Sequence, residues 1–153
     1  MKSYRVSKYN PRLRVDNKYL IDEWTSYTDI GKTFSKKTFT LAEYETVEQN
    51  YIDCIIEIVL TSLTKEFKIC SLEKHAHIKW KNNQILTLDL LQDFIRDCLR
   101  EKCWAKLENQ NLFVHFGYDY YVYIGTRLEY GLVKDIVQKH KLYAEQFSSP
   151  YLD

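Results

Sequence analysis

At 153 residues the chain has the size of one domain, long enough to bury a core and too short for two ordinary domains. Its 45% hydrophobic and 28% charged residues describe a globular chain, and its 4 Gly and 2 Pro leave little material for phosphate-cradling loops. Net charge is +1, too weak a bias to mark a nucleic-acid domain by itself, and no stretch reaches the roughly 20 apolar residues of a membrane span. The outlier is aromatic content, 15% with 13 Tyr. The opening residues lack the apolar run of a secretory signal, so the expectation is one cytoplasmic globular domain over 1–153.

Taken in order, Tyr4 and Val6 alternate with Arg5 and Ser7, which suits a short strand over 3–9 that Asn10-Pro11 ends. Residues 12–39 show no period and read as a long structured loop with a turn near Thr28-Asp29-Ile30-Gly31. The first forty residues hold nine Lys or Arg against Asp16, Asp22, Glu23 and Asp29, a net +5 that leaves −4 for the remainder. Residues 1–39 are thus a basic, mostly irregular segment. Its interleaved Tyr4, Tyr9, Tyr19, Trp24 and Tyr27 could stack bases while the cations grip phosphates. The competing reading places those aromatics on the core and the charges in water, and the near-neutral total favours it.

Thr40-Leu41-Ala42-Glu43 is a capping-box pattern, and Tyr44, Val47, Tyr51, Cys54, Ile55, Ile58 and Val59 behind it share one helical face, predicting a helix over 41–63. Asp53 and Glu57, four apart, adjoin on that helix, where such a pair is ordinarily a solvated stripe. A strand follows over 65–72. A second helix over 87–107 is read from Leu88, Leu91, Phe94, Ile95, Cys98 and Leu99, with Lys102 and Lys106 placed at its negative end. Residues 111–125 carry the clearest β signal, two strands about a turn at Gly117-Tyr118-Asp119. A last helix is expected over 128–147, stopped by Ser148-Ser149-Pro150. The predicted fold is α+β: a small antiparallel sheet, β-α-β-α-β-β-α along the chain, covered by three helices. Ile55, Ile58, Leu91, Ile95, Leu132 and Ile136 are the expected core.

Little in the chain resembles a catalytic set. Gly31, Gly117, Gly125 and Gly131 are isolated, so nucleotide loops are absent and no cofactor is expected. His75 and His77 have same-face strand spacing and His115 could join them, but Lys74 and Lys79 flank the pair and no metal is expected. Cys54, Cys70, Cys98 and Cys103 form no metal-binding pair and read as reduced structural thiols. Cys70 and His75 are too close in sequence to supply nucleophile–base geometry. What remains is binding chemistry. Asp22, Glu23 and Trp24, with Tyr118, Asp119, Tyr121 and Tyr123, set aromatic anchors beside acids and are the candidate partner surface. The opposing reading makes Trp24 the plug that holds the loop to the core.

Ser3-Tyr4-Arg5-Val6, Lys8-Tyr9-Asn10-Pro11, Arg14, Asp22-Glu23-Trp24-Thr25-Ser26 and Asp29-Ile30-Gly31 resemble the opening of a family of small bacterial proteins. The hairpin Phe116-Gly117-Tyr118-Asp119-Tyr120-Tyr121 belongs to the same pattern, which implies no activity. In size and in lacking a catalytic set, the chain is similar to immunity proteins that neutralise polymorphic or contact-dependent bacterial toxins. The expected function is therefore non-enzymatic binding of a cognate toxin domain. The alternatives are a nucleic-acid-binding regulator using the basic segment, or an enzyme built on His75, His77, His115, Asp53 and Glu57.

Overall fold

The computed structural model describes all 153 residues. Strand β1 (Lys2–Ser7) is followed by two miniature hairpins, β2 (Arg14–Val15) with β3 (Lys18–Tyr19) and β4 (Thr33–Phe34) with β5 (Lys37–Thr38). Then come α1 (Leu41–Thr61), β6 (Glu66–Lys74), β7 (Ile85–Thr87), α2 (Leu88–Leu99), β8 (Cys103–Glu108), β9 (Leu112–Phe116), β10 (Val122–Thr126), α3 (Tyr130–Lys139) and β11 (Tyr143–Gln146). Seven strands make one antiparallel sheet in the order β11-β1-β10-β9-β8-β6-β7. The α+β reading holds, with a larger sheet than expected.

Side-chain alternation splits the sheet into two unlike faces. Tyr4, Val6, Phe67, Ile69, Leu86, Ala105, Leu107, Leu112, Val114, Phe116, Val122 and Ile124 point to the helices and join one continuous core. Helix α1 seals it with Tyr44, Tyr51, Ile52, Ile55, Ile58 and Val59; of the expected capping box only the Thr40 half forms, Glu43 N–H donating to Thr40 Oγ1 at 3.2 Å. The opposite face places Glu145, Arg5, Tyr123, His115 and Lys106 side by side across five strands. Residues 147–153 lie over part of it. Phe147 N–H donates to Ser3 O, and Lys106 Nζ donates to Tyr151 O at 3.1 Å.

Two expected helices are shorter than predicted, for one shared reason. The helix predicted over 87–107 ends at Leu99, and Cys103–Glu108 is strand β8; Glu101, at φ +61°, turns the chain. The helix predicted over 128–147 occupies only Tyr130–Lys139, and Lys141, also at φ +61°, redirects it into β11. Neither left-handed residue is a glycine, so neither advertised a stop. Of the expected core, Ile55, Ile58, Leu91, Ile95 and Ile136 are buried, but Leu132 is 43% exposed. In the shorter α3 the buried face is Val133, Ile136 and Val137, and Leu132 sits one position off it.

Residues 12–39 carry ordered contacts throughout. Asp16-Asn17 and Ser35-Lys36, both left-handed pairs, make the tight turns of the two small hairpins. Trp24 stacks on Phe39 with ring centres 4.6 Å apart and meets Tyr44 and Tyr120 edge-on. Most of the basic charge is paired internally. Lys2 meets Glu129, Arg5 and Arg14 meet Glu145, Lys8 meets Glu23 and Lys32 meets Asp29.

Candidate functional site

The β9–β10 hairpin carries a five-residue connection, Gly117 to Tyr121, closed by Gly117 N–H donating to Tyr121 O at 2.7 Å. Asp119 and Tyr120 are both left-handed, at φ +56° and +65°. Strain of that kind persists only where surrounding contacts hold it. Here Tyr120 supplies them: it is buried, its hydroxyl donates to Leu99 O at 2.6 Å, and Tyr51 Oη donates to its carbonyl, also at 2.6 Å. Fixing Tyr120 inward leaves Tyr118 and Asp119 outward. Tyr118 is 75% exposed, and the exposed Asp119 carboxylate has neither an ion pair nor a hydrogen bond.

The candidate surface comes together only in part. Trp24, 8% exposed, is the core plug and not an exposed anchor; its ring lies 4.9 Å from that of Tyr120, beneath the hairpin tip. Tyr123 is buried on the tail-covered face, its ring 5.8 Å from Tyr151 and 5.9 Å from Phe147, so it presents nothing to a partner. Asp22 is exposed, but its carboxylate accepts the Ser35 N–H at 3.1 Å and belongs to the β4–β5 turn. Glu23, Tyr118, Asp119 and Tyr121 remain, and they adjoin.

Comparison of the chain with family models, curated proteins and solved structures finds no match. Its own geometry therefore carries the argument.

Two hollows flank the tip. One, of about 100 Å³, is mainly apolar and is lined by Cys98, Cys103, Trp104, Phe116, Tyr118 and His75 among others. The other, of about 240 Å³, is lined by Tyr9, Tyr19, Ile21, Glu23, Thr25, Asp119 and Tyr121. Sequence reasoning named Tyr9 and Tyr19 only as base-stacking candidates of the basic segment and did not join them to this surface. Only β1–β10 pairing, Val6 opposite Val122, brings residue 9 beside residue 119. Ile21, in the wall of the second hollow, is an exposed aliphatic side chain. An exposed apolar group beside a hollow favours association.

The other candidates for chemistry are dispersed. His75 and His77 follow the end of β6 and do not share a strand face; His75 instead stands 3.6 Å from Glu73. His115 is fully buried under the tail, with Nδ1 2.8 Å from Ser149 Oγ and Nε2 3.3 Å from Glu108. Burial pushes its pKa down to about 4, against a smaller upward pull from Glu108. No three His, Cys, Asp or Glu side chains gather so as to hold a metal ion. Asp53 and Glu57 are split between partners. Gln49 donates to Asp53, while Lys139 at 2.9 Å and His140 at 2.5 Å tie Glu57 to α3 and hold its carboxyl below the usual range. The four thiols are free, and Cys98 and Cys103 meet at 3.7 Å. Burial raises the Cys98 pKa. No helix is long and apolar enough to cross a membrane.

Proposed function

We propose that the protein is a non-enzymatic binding protein, an immunity protein that caps a cognate toxin domain in the cytoplasm. The observation that carries this reading is the hairpin tip. Tyr118 and Asp119 project from a backbone fixed by a buried tyrosine, with a hollow on either side. A rigid exposed tyrosine loses little conformational freedom on binding, and an unpaired acid beside it steers a complementary surface. The exposed Ile21, in the wall of the second hollow, adds apolar area to the same surface.

The nucleic-acid alternative loses support from the arrangement of the arm. Five of its nine cations, Lys2, Arg5, Lys8, Arg14 and Lys32, already face internal carboxylates. Phosphate binding by those five would compete with the carboxylates they already face.

The test is co-expression with the product of the reading frame adjoining its gene. Rescue of growth and co-purification of the two chains are expected, with Tyr118→Ala and Asp119→Asn, which suits the left-handed backbone, abolishing rescue at unchanged thermal stability. Failure to rescue, or rescue indifferent to both substitutions, would overturn the assignment of this surface to a toxin.

A further inference from the structure

The 240 Å³ hollow has features that protein docking alone does not require. Three tyrosine rings bound it. Tyr9 stands between Tyr19 and Tyr121, with ring centres 5.0 and 5.3 Å away and planes inclined by 62° and 43°. Inclined rings form a box rather than a stack. The face of each ring, not its electropositive edge, is what attracts a cation.

The charged groups lining the hollow are Glu23 and Asp119, and no cation lines it. Glu23 is partly satisfied: Tyr19 Oη donates to Oε1 at 2.6 Å, and Lys8 Nζ lies 3.0 Å from Oε2. Lys8 lies against the Tyr9 and Trp24 rings, 4.3 and 4.2 Å from their centres, and burial lowers its pKa. Arg5 lies over the Tyr121 ring, 4.9 Å from its centre, and its charge, like that of Arg14, is paired with Glu145. Asp119 has no counterpart at all.

A second, independent observation points inward. Tyr9 is 2% exposed, yet its hydroxyl has no hydrogen-bond partner. A buried hydroxyl left unpaired costs free energy that a ligand donor at that point would recover. Tyr9 is itself a wall of the hollow, beside Glu23, Asp119, Tyr121 and Tyr19, so the unpaired hydroxyl belongs to a side chain of its lining. The volume is many times what one ordered water needs.

We infer that this hollow is a binding site for an organic cation, an ammonium or guanidinium group. It would be held between the rings of Tyr9, Tyr19 and Tyr121, paired with Asp119 and Glu23, and hydrogen-bonded to the Tyr9 hydroxyl. The group has two sources, a free small amine or the lysine or arginine side chain of a protein partner. The site does not depend on the toxin reading.

The probes are Nα-acetylated argininamide, n-butylammonium and Nα-acetylated citrullinamide, the last carrying no charge, titrated into the intact protein while tyrosine ring signals are followed by NMR. Saturable shifts of Tyr9, Tyr19 and Tyr121 are expected with the two cations and not with citrullinamide. Asp119→Asn retains the left-handed backbone that Asn tolerates, and it should weaken cation binding about tenfold with unchanged melting. Tyr9→Phe should weaken it several-fold and leave the ring box in place. Equal binding of citrullinamide, no saturable shift with either cation, or indifference to Asp119→Asn would each overturn the site. An arginine-bearing peptide binding at least about tenfold tighter than argininamide assigns the site to a protein side chain; equal affinity assigns it to a free amine. Failure of toxin rescue alongside saturable cation binding would remove the immunity reading and leave this site standing.

Discussion

The two faces of the sheet are buried by different means. On the helix side, three amphipathic helices lay Ile, Leu, Val and aromatic side chains on alternating strand positions, and stability there follows apolar area. On the other side a short tail covers Arg5, Tyr123, His115 and Lys106, groups that must be hydrogen-bonded or kept neutral to be buried at all. The first face should tolerate changes of pH and resist loss of volume. The second should be sensitive to protonation and to small steric changes.

The largest effect expected is on the helix side. Trp24→Ala removes the stacked partner of Phe39 and should cost about 3–5 kcal/mol, read as a lower midpoint in urea unfolding. Unchanged stability would mean that Trp24 is not a core residue and would reopen its role as an anchor. On the tail side, Gly125 lies under the ring of Phe113, and a Cβ there would overlap that ring. Gly125→Ala should cost about 1–3 kcal/mol, with Phe113→Leu in the same chain restoring part of it.

The pH prediction separates the faces directly. His115 is neutral in the folded protein, with a pKa of about 4, and titrates near 6.5 when unfolded. Between those values the unfolded chain binds more protons, so stability rises with pH and falls as pH drops from about 6.5 towards 4. The paired carboxylate Glu57, held below its ordinary value, adds its own loss only lower in that range. Chemical denaturation between pH 7 and pH 5 should therefore show a slope that His115→Phe abolishes. A slope unchanged in that variant would assign the effect elsewhere. The smallest expected change is Tyr118→Ala, within about 0.5 kcal/mol of the parent, because its side chain is exposed. A large fall would show that the tip is structural.

Much of the helix side was legible in the sequence. Thr40 with a 3.6-residue apolar period marked α1, and the aromatic runs about Gly117 marked the hairpin. The tail side was not legible, for physical reasons. Cys103–Glu108 and Tyr143–Gln146 each follow a turn made by a non-glycine left-handed residue, so an apolar pattern carried over from the preceding helix concealed the strand. Glu48 shows the same limit. It sits on the acidic face of α1 in sequence, yet it is 3% exposed and bound by Arg96 and Arg100 from another helix. Of the candidate surface, Tyr118, Asp119, Tyr121 and Glu23 were named from composition and turn chemistry, and the fold sets them side by side. Tyr9 and Tyr19 depend on strand order, which local pattern does not encode.

Strand order also fixes when the chain can close. The first strand is made at once but pairs only with β10 and β11, more than a hundred residues later. During synthesis it emerges with both edges open and must wait while β6 to β9, whose partners lie close in sequence, assemble around α1 and α2. Bringing ends so distant together is entropically costly and slow. Closing the sheet is therefore expected to come late in folding. Because Tyr9 hangs from the end of β1 and Asp119 from the hairpin before β10, the hollow between them cannot exist until that last seam is drawn.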